Sequence, residues 1–161
     1  MRAEIIQVEY GYTATFERKF EQSTEQIWAM LTDNEKLQLW FPELRVEKLE
    51  EEGFLSFHMG DGTFDNMAIT DFQEGKVVAF EWAEDEVRFE LQEENGGTKL
   101  RLIEFISRLT PRTARDLAGW HMCLDVIHAL LDDKAIEREQ EWERQYPEYK
   151  RLIDSMGVEF D

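Results

Sequence analysis

The chain has 161 residues, 42% of them hydrophobic and 12% aromatic, which is enough for one domain with a sizeable core and excludes a disordered chain. Asp and Glu number 36 against 18 Lys and Arg, a net charge of −18; such a surface repels phosphate backbones and anionic headgroups, so neither nucleic-acid binding nor electrostatic membrane docking is expected. A charged N-terminus, no apolar run of membrane-spanning length and a lone Cys123 are consistent with a cytoplasmic protein without a signal peptide, a span or an internal disulfide.

Strict alternation predicts the first strand over 12–20. Tyr12, Ala14, Phe16 and Phe20 share one side; Thr13, Thr15, Glu17 and Lys19 share the other. Ser23 and Gln26 have the spacing of a capping box, opening a helix whose buried side is Ile27, Met30 and Leu31. Thr32 and Glu35 repeat that spacing and start a second short helix through Leu39, which Pro42 stops. Strands are then expected near 44–49, 54–59, 66–72, 77–82, 87–91 and 99–106. Glu52-Gly53, Gly60-Asp61-Gly62, Glu74-Gly75 and Asn95-Gly96-Gly97 separate most of them, the last being a hairpin signal. Pro111 suits the first turn of a long helix. Leu117, Trp120, His121, Leu124, Ile127, His128 and Leu131 follow one helix face. Beyond a charged stretch, Pro147 is expected to break the chain. It would start a final helix with the stripe Tyr149, Leu152, Ile153 and Met156, capped by Gly157. The order is a strand, two helices, an antiparallel meander and a covering helix, all in one domain over 1–161: a core over about 12–133 and a helical extension over about 134–157.

Arg18, Trp28, Leu31-Thr32-Asp33, Trp40, Phe80-Glu81-Trp82, Gly97-Thr98-Lys99-Leu100 and Gly119-Trp120 occur in an order that resembles the activator-of-heat-shock-protein-90-ATPase-homologue family. That family lies within the START-related, helix-grip (SRPBCC) superfamily. The resemblance implies an α+β helix-grip fold: a curved antiparallel sheet of about six to seven strands around a long C-terminal helix, with an apolar cavity between them. Relatives of this kind bind lipids, plant hormones, polyketides or other hydrophobic molecules, and some branches cyclise polyketides. The eukaryotic namesake activates a chaperone ATPase through a separate N-terminal domain, for which this sequence is expected to have no room. A fold hosts many activities, so function has to come from the site.

The soft metal ligands are His58, His121, His128 and Cys123. His121 and His128 lie about 10 Å apart along a helix at 1.5 Å per residue, and Cys123 is rotated about 200° from His121. One ion at roughly 2.0–2.1 Å from each nitrogen cannot span that distance, so no metal is expected. Ser23 is spoken for as a cap, Ser56 and Ser107 have no neighbouring histidine, and no nucleophile elbow or phosphate loop is present. No catalytic residue or cofactor is assigned. Glu104 is different, because it falls in register with Leu100, Leu102 and Ile106. A carboxylate on an apolar face is costly unless paired or protonated. It reads either as a polar anchor for a ligand or a pKa-shifted acid, or as a structural group paired with an arginine or set at the wet mouth of the pocket; the competing register puts Ile103 and Phe105 inside instead. The candidate cavity lining is Trp40, His58, Phe80, Trp82, Phe89, Glu104, Trp120, His121, Leu124 and His128. The expected function is binding of a small hydrophobic ligand: a lipid, an aromatic or a polyketide-like molecule. The alternatives are a chaperone-interacting module and, below it, an enzyme acting on a polyketide-like or aromatic substrate with Glu104 or a histidine as acid/base. A homodimer is left open.

Overall fold

The computed structural model describes residues 1–157. Strands β1 (Glu4–Val8) and β2 (Gly11–Phe20) are followed by helices α1 (Thr24–Thr32) and α2 (Asn34–Trp40). Six strands follow: β3 (Leu44–Lys48), β4 (Phe54–His58), β5 (Phe64–Gln73), β6 (Val77–Trp82), β7 (Asp85–Glu94) and β8 (Gly97–Ile106). Helices α3 (Thr113–Leu131) and α4 (Arg138–Ser155) close the described chain. All eight strands form one antiparallel sheet in the order β1-β2-β8-β7-β6-β5-β4-β3. Register shifts at Val46/Lys48 and Ile69/Asp71 bend it around α3, as bulges do. This is the helix-grip plan with one strand more than the upper expectation.

Local chemistry accounts for most boundaries. Ser23 accepts from the Gln26 amide while the Gln26 side chain accepts from the Ser23 amide, and Asp33 caps α2 through the Glu35 amide. At the β7–β8 hairpin Asn95 and Gly96 both take positive φ, 54° and 82°, as a tight primed turn requires. Gly97 then runs so close to β2 that a Cβ there would lie 2.2 Å from the Phe20 carbonyl oxygen. The β2–β8–β7 ladder sets Phe16 opposite Leu102 and Leu102 opposite Phe89; these three side chains are buried in the core under α3.

The fold differs from the sequence reading at four points. β1 is an added edge strand with no clean alternation, Ile6 and Val8 being exposed. α3 starts at Thr113 rather than at Pro111, with the Thr113 hydroxyl accepting from the Thr110 amide. Pro147 neither breaks nor starts a helix; it lies within α4. An interior proline removes one backbone bond and costs about 3 kcal/mol. The compensation is the row Glu141, Gln145, Tyr149 and Ile153, spaced by four and all buried, on the face that packs against α3. Leu152, read as part of that stripe, is exposed. Covered by α4 on one side and the sheet on the other, α3 buries Met122, Cys123 and Val126 as well as Leu117, Trp120, His121, Leu124 and Ile127 of the expected face, while His128 and Leu131 are half-buried.

A buried polar clasp ties the two ends of the chain together. The Tyr149 hydroxyl accepts from the Ala3 amide at 3.0 Å and lies 2.7 Å from His121 Nδ1. His121 Nε2 is 3.4 Å from Asp125. Burial, and then the nearby Arg18 guanidinium, push the His121 ring down to about 4, so it is neutral at pH 7. These partners assign its proton to Nε2, facing Asp125, with Tyr149 donating to Nδ1. Asp125 lies near Glu141 of α4, and its carboxyl is raised to about 6, first by burial and then by that neighbouring acid.

Trp120 is 3% exposed and wedged between Trp82, 5.0 Å away, and Phe89, 6.0 Å away. Trp28 is only half-buried, against Phe72 at 6.0 Å. Trp120→Ala should therefore cost about 3–5 kcal/mol, as large-to-small core changes do, and Trp28→Ala clearly less. Denaturant midpoints check this; equal losses at the two positions would contradict the packing described.

Candidate functional site

The space along the middle of α3, where sequence alone put a cavity, is filled. Trp40, Phe80, Phe89 and Trp120 pack ring against ring there, with centroids 6.0–6.4 Å apart, and Leu124 is 1% exposed beside them. Open space lies instead at the N-terminal end of α3, beside the β8–α3 connection. It is a cleft of about 730 Å³. One wall is apolar: Phe57 of β4, Met67 of β5, Trp82 of β6 and Ile106 of β8. Phe57 and Trp82 meet edge to face at 5.8 Å, and Trp82 backs onto Trp120. The rest is mostly polar, drawn from Asp65 and Asn66 of β5, the end of β6 and the β6–β7 turn, the β8–α3 connection and Asp116 in the first turn of α3.

Glu104 lies at the floor. Its ladder partners are Ala14 and Val87, both fully buried, and it is itself 1% exposed. Ile103 is half-buried and Phe105 exposed, so the register that puts Glu104 inside is the one adopted. No arginine pairs with it: Oε1 is buried without a hydrogen-bond partner. Burial first, then the negative charges of Asp116 and Asp85, raise its carboxyl well above the usual range for a glutamate. Asp116 is raised to about 6, chiefly by atoms crowded around the carboxyl and then by Asp85, with Arg112 opposing. Asp116 is nonetheless an exposed residue, so solvent screens much of that effect. Asp85 is held by Ser107, whose amide and hydroxyl donate to Oδ1 at 2.9 and 3.1 Å.

Of the residues singled out from sequence, Trp82 and Glu104 line this cleft, while Trp40, Phe80, Phe89, Trp120 and Leu124 form the packed floor behind it or lie deeper. The three histidines are elsewhere. His58 meets Ser56 at 2.9 Å and stacks on Phe64; His121 belongs to the clasp; His128 stacks on Phe20 with centroids 4.1 Å apart. Among the described residues no three His, Cys, Asp or Glu side chains converge to hold a metal ion, and the Cys123 thiol, fully buried, is pushed up to about 12. Asp85 and Asp116 were not singled out. In sequence one is a turn residue and the other an acid in a first helical turn, an ordinary favourable position.

The family model described as Activator of Hsp90 ATPase homolog 1-like protein matches residues 21–132, from the α1 capping box to the end of α3. The chain belongs to this family. Among solved structures, this Activator of Hsp90 ATPase homolog 1-like chain is similar to a conserved protein of unknown function, EF2215 from Enterococcus faecalis. The two are 27% identical with a TM-score of 0.79 over 93% of this chain and 91% of that one. CalU16 from Micromonospora echinospora shares the fold at 18% identity, TM-score 0.73, over 94% of this chain and 96% of that one. DynU16, described as a putative protein in the dynemicin biosynthetic locus, shares it at 18% identity and TM-score 0.63, over 76% of this chain and 48% of that one. No functionally curated protein matches the chain. Among the described residues no helix is long and apolar enough to cross a membrane.

The electrostatics of the cleft set a pH dependence. An acid whose folded pKa exceeds its unfolded value weakens folding in full above the folded pKa; the cost falls as pH drops between the folded and unfolded values and is gone below the unfolded one. Glu104 and Asp116 are both of this kind. His121, lowered to about 4, works the other way below pH 6.5. Glu104→Gln should thus be more stable than the parent at pH 8, with the advantage shrinking as pH falls; a tenfold change in acid strength is worth about 1.4 kcal/mol. Chemical denaturation of both proteins across pH 5–8 checks this, and a pH-independent difference would show that Glu104 titrates normally.

Proposed function

We propose that the cleft binds a small, largely apolar organic molecule. The observation that carries this reading is the cleft itself. Its volume of about 730 Å³ is within the range of small-molecule sites, roughly 300–1,000 Å³. One wall is aromatic and aliphatic, and a few polar groups gather at one end, which is the division of labour such sites use: apolar area for affinity, polar groups for orientation. Trp82 and Phe57 are held by rings on their far sides, so little side-chain freedom is lost when a flat ligand stacks on them. Binding without turnover is favoured because the lining contains no histidine or cysteine, and its serine, Ser107, already donates to Asp85.

Fused-ring aromatic compounds should raise the melting temperature by binding the folded state alone; at a hundredfold excess over Kd the linkage is about 2.7 kcal/mol. Asn66→Trp adds bulk at an exposed strand position on the rim and should abolish that shift without lowering the melting temperature of the free protein. Calorimetric melts of the two proteins with and without compound test this. A shift that survives Asn66→Trp would place the ligand elsewhere.

A further inference from the structure

We infer that the molecule this cleft takes carries a protonated amine, seated on Glu104, Asp116 and Asp85, with its apolar body against Phe57 and Trp82. This rests on the reading of the cleft as a small-molecule site and specifies the ligand class.

The charge around the cleft is one-sided. Six carboxylates line it against two arginines, Arg108 and Arg112. Arg108 reaches toward Glu84 at the rim, 3.9 Å away, and both arginines are exposed, where water weakens their pull. Neither satisfies the floor. Glu104 lines the cleft, and its Oε1 is buried and receives no hydrogen bond from any group of the described chain. A native fold rarely buries an unpaired carboxyl oxygen, and one on a residue that lines an open cleft calls for a donor supplied from outside. The neighbours of Glu104 select which donor. Asp116 and Asp85 are the two charges that act on it most, and both are negative. A neutral hydroxyl would satisfy that oxygen but gain nothing from the acids around it. A cation satisfies the oxygen and is also attracted by the surrounding carboxylates. A metal ion is disfavoured by geometry, since the carboxylates do not converge as a coordination set. An ammonium, with three donors and no demand for a fixed polyhedron, fits carboxylates spread over three elements: β7, β8 and α3. The aromatic wall adds to this, because Trp82 and Phe57 attract a cation through their ring faces as well as stacking the ligand body.

The binding step is coupled to proton release. Burial and the neighbouring acids favour the protonated form of Glu104 in the free protein; as the ammonium arrives, the protonated fraction gives its proton to the buffer and the carboxylate accepts a hydrogen bond from the ammonium. No bond within the ligand changes. Amine affinity should therefore rise from pH 6 to pH 8, while that of a neutral counterpart stays flat.

The experiment compares naphthylethylamine with its neutral counterpart naphthylethanol by isothermal titration calorimetry at pH 7.5, in phosphate and in Tris. The amine is expected to bind about tenfold more tightly than the alcohol, the difference a charge-assisted hydrogen bond makes. Its apparent heat should differ between the two buffers as the released proton is taken up, and Glu104→Gln should remove both the preference and the buffer dependence. Asp116→Asn should weaken the amine and spare the alcohol, and the wild-type buffer comparison stands even if a variant folds poorly. An alcohol that binds as well as the amine would overturn the amine assignment and leave the cleft reading standing. Calcium or magnesium alone raising the melting temperature in a Glu104-dependent manner would also overturn it, in favour of a metal. If neither compound binds, both readings fall.

Discussion

A strand exposes its side chains alternately, and β8 is paired on both edges. Once Leu100, Leu102 and Ile106 are committed to the core, Glu104 has no other face to occupy. Slipping the register by one residue to free the carboxylate would expose those three buried aliphatic side chains, each worth about 1.5–3 kcal/mol when buried. The fold therefore holds an ionisable group where it is unfavourable, and surrounds it with Ala14 and Val87, which offer it no hydrogen bond. The raised carboxyl, the crowded acids and the preference inferred for a cation all descend from that constraint.

The second constraint is how α3 is gripped. Aromatic rings from α2, β6, β7 and α3 fill the space beneath its centre, and α4 presses on its other side along the Glu141, Gln145, Tyr149 and Ile153 row. The clasp of Tyr149 with His121 and the Ala3 amide closes that face against β2. The N-terminal turn of α3, by contrast, meets the sheet through acids and a loop. Packing is thus solid where the helix is covered on both sides, and the cleft opens where the helix has only just left β8.

Much of the architecture was legible because it rests on short-range chemistry. The Ser23–Gln26 box, the Asn95-Gly96 turn and the alternation of β2 and β8 each have a local cause that survives into the fold. Glu104 stood out for the same reason, as one acid in an apolar register. What local pattern could not carry was decided by tertiary partners. β1 is ordered by pairing with β2 and has no buried face of its own pattern. Pro147 is tolerated because four buried neighbours hold the helix around it. Aromatic richness did not distinguish a lining from a packed core: Trp82 faces the cleft, while Trp40, Phe80 and Phe89 do not. Asp85 and Asp116 acquire their role only through being brought beside Glu104 from a turn and a helix start.

At the centre stands the Glu104 carboxyl, unpartnered and pushed well above the ordinary glutamate range in the free protein. Carbon-detected NMR titration of the glutamate side-chain carboxyls, with Glu104→Gln identifying the resonance, measures it directly. The account predicts a Glu104 carboxyl that titrates well above the 4.5 of an ordinary glutamate and moves to lower pH when an arylalkylamine is added. A Glu104 resonance that titrates near 4.5 in the free protein would contradict it.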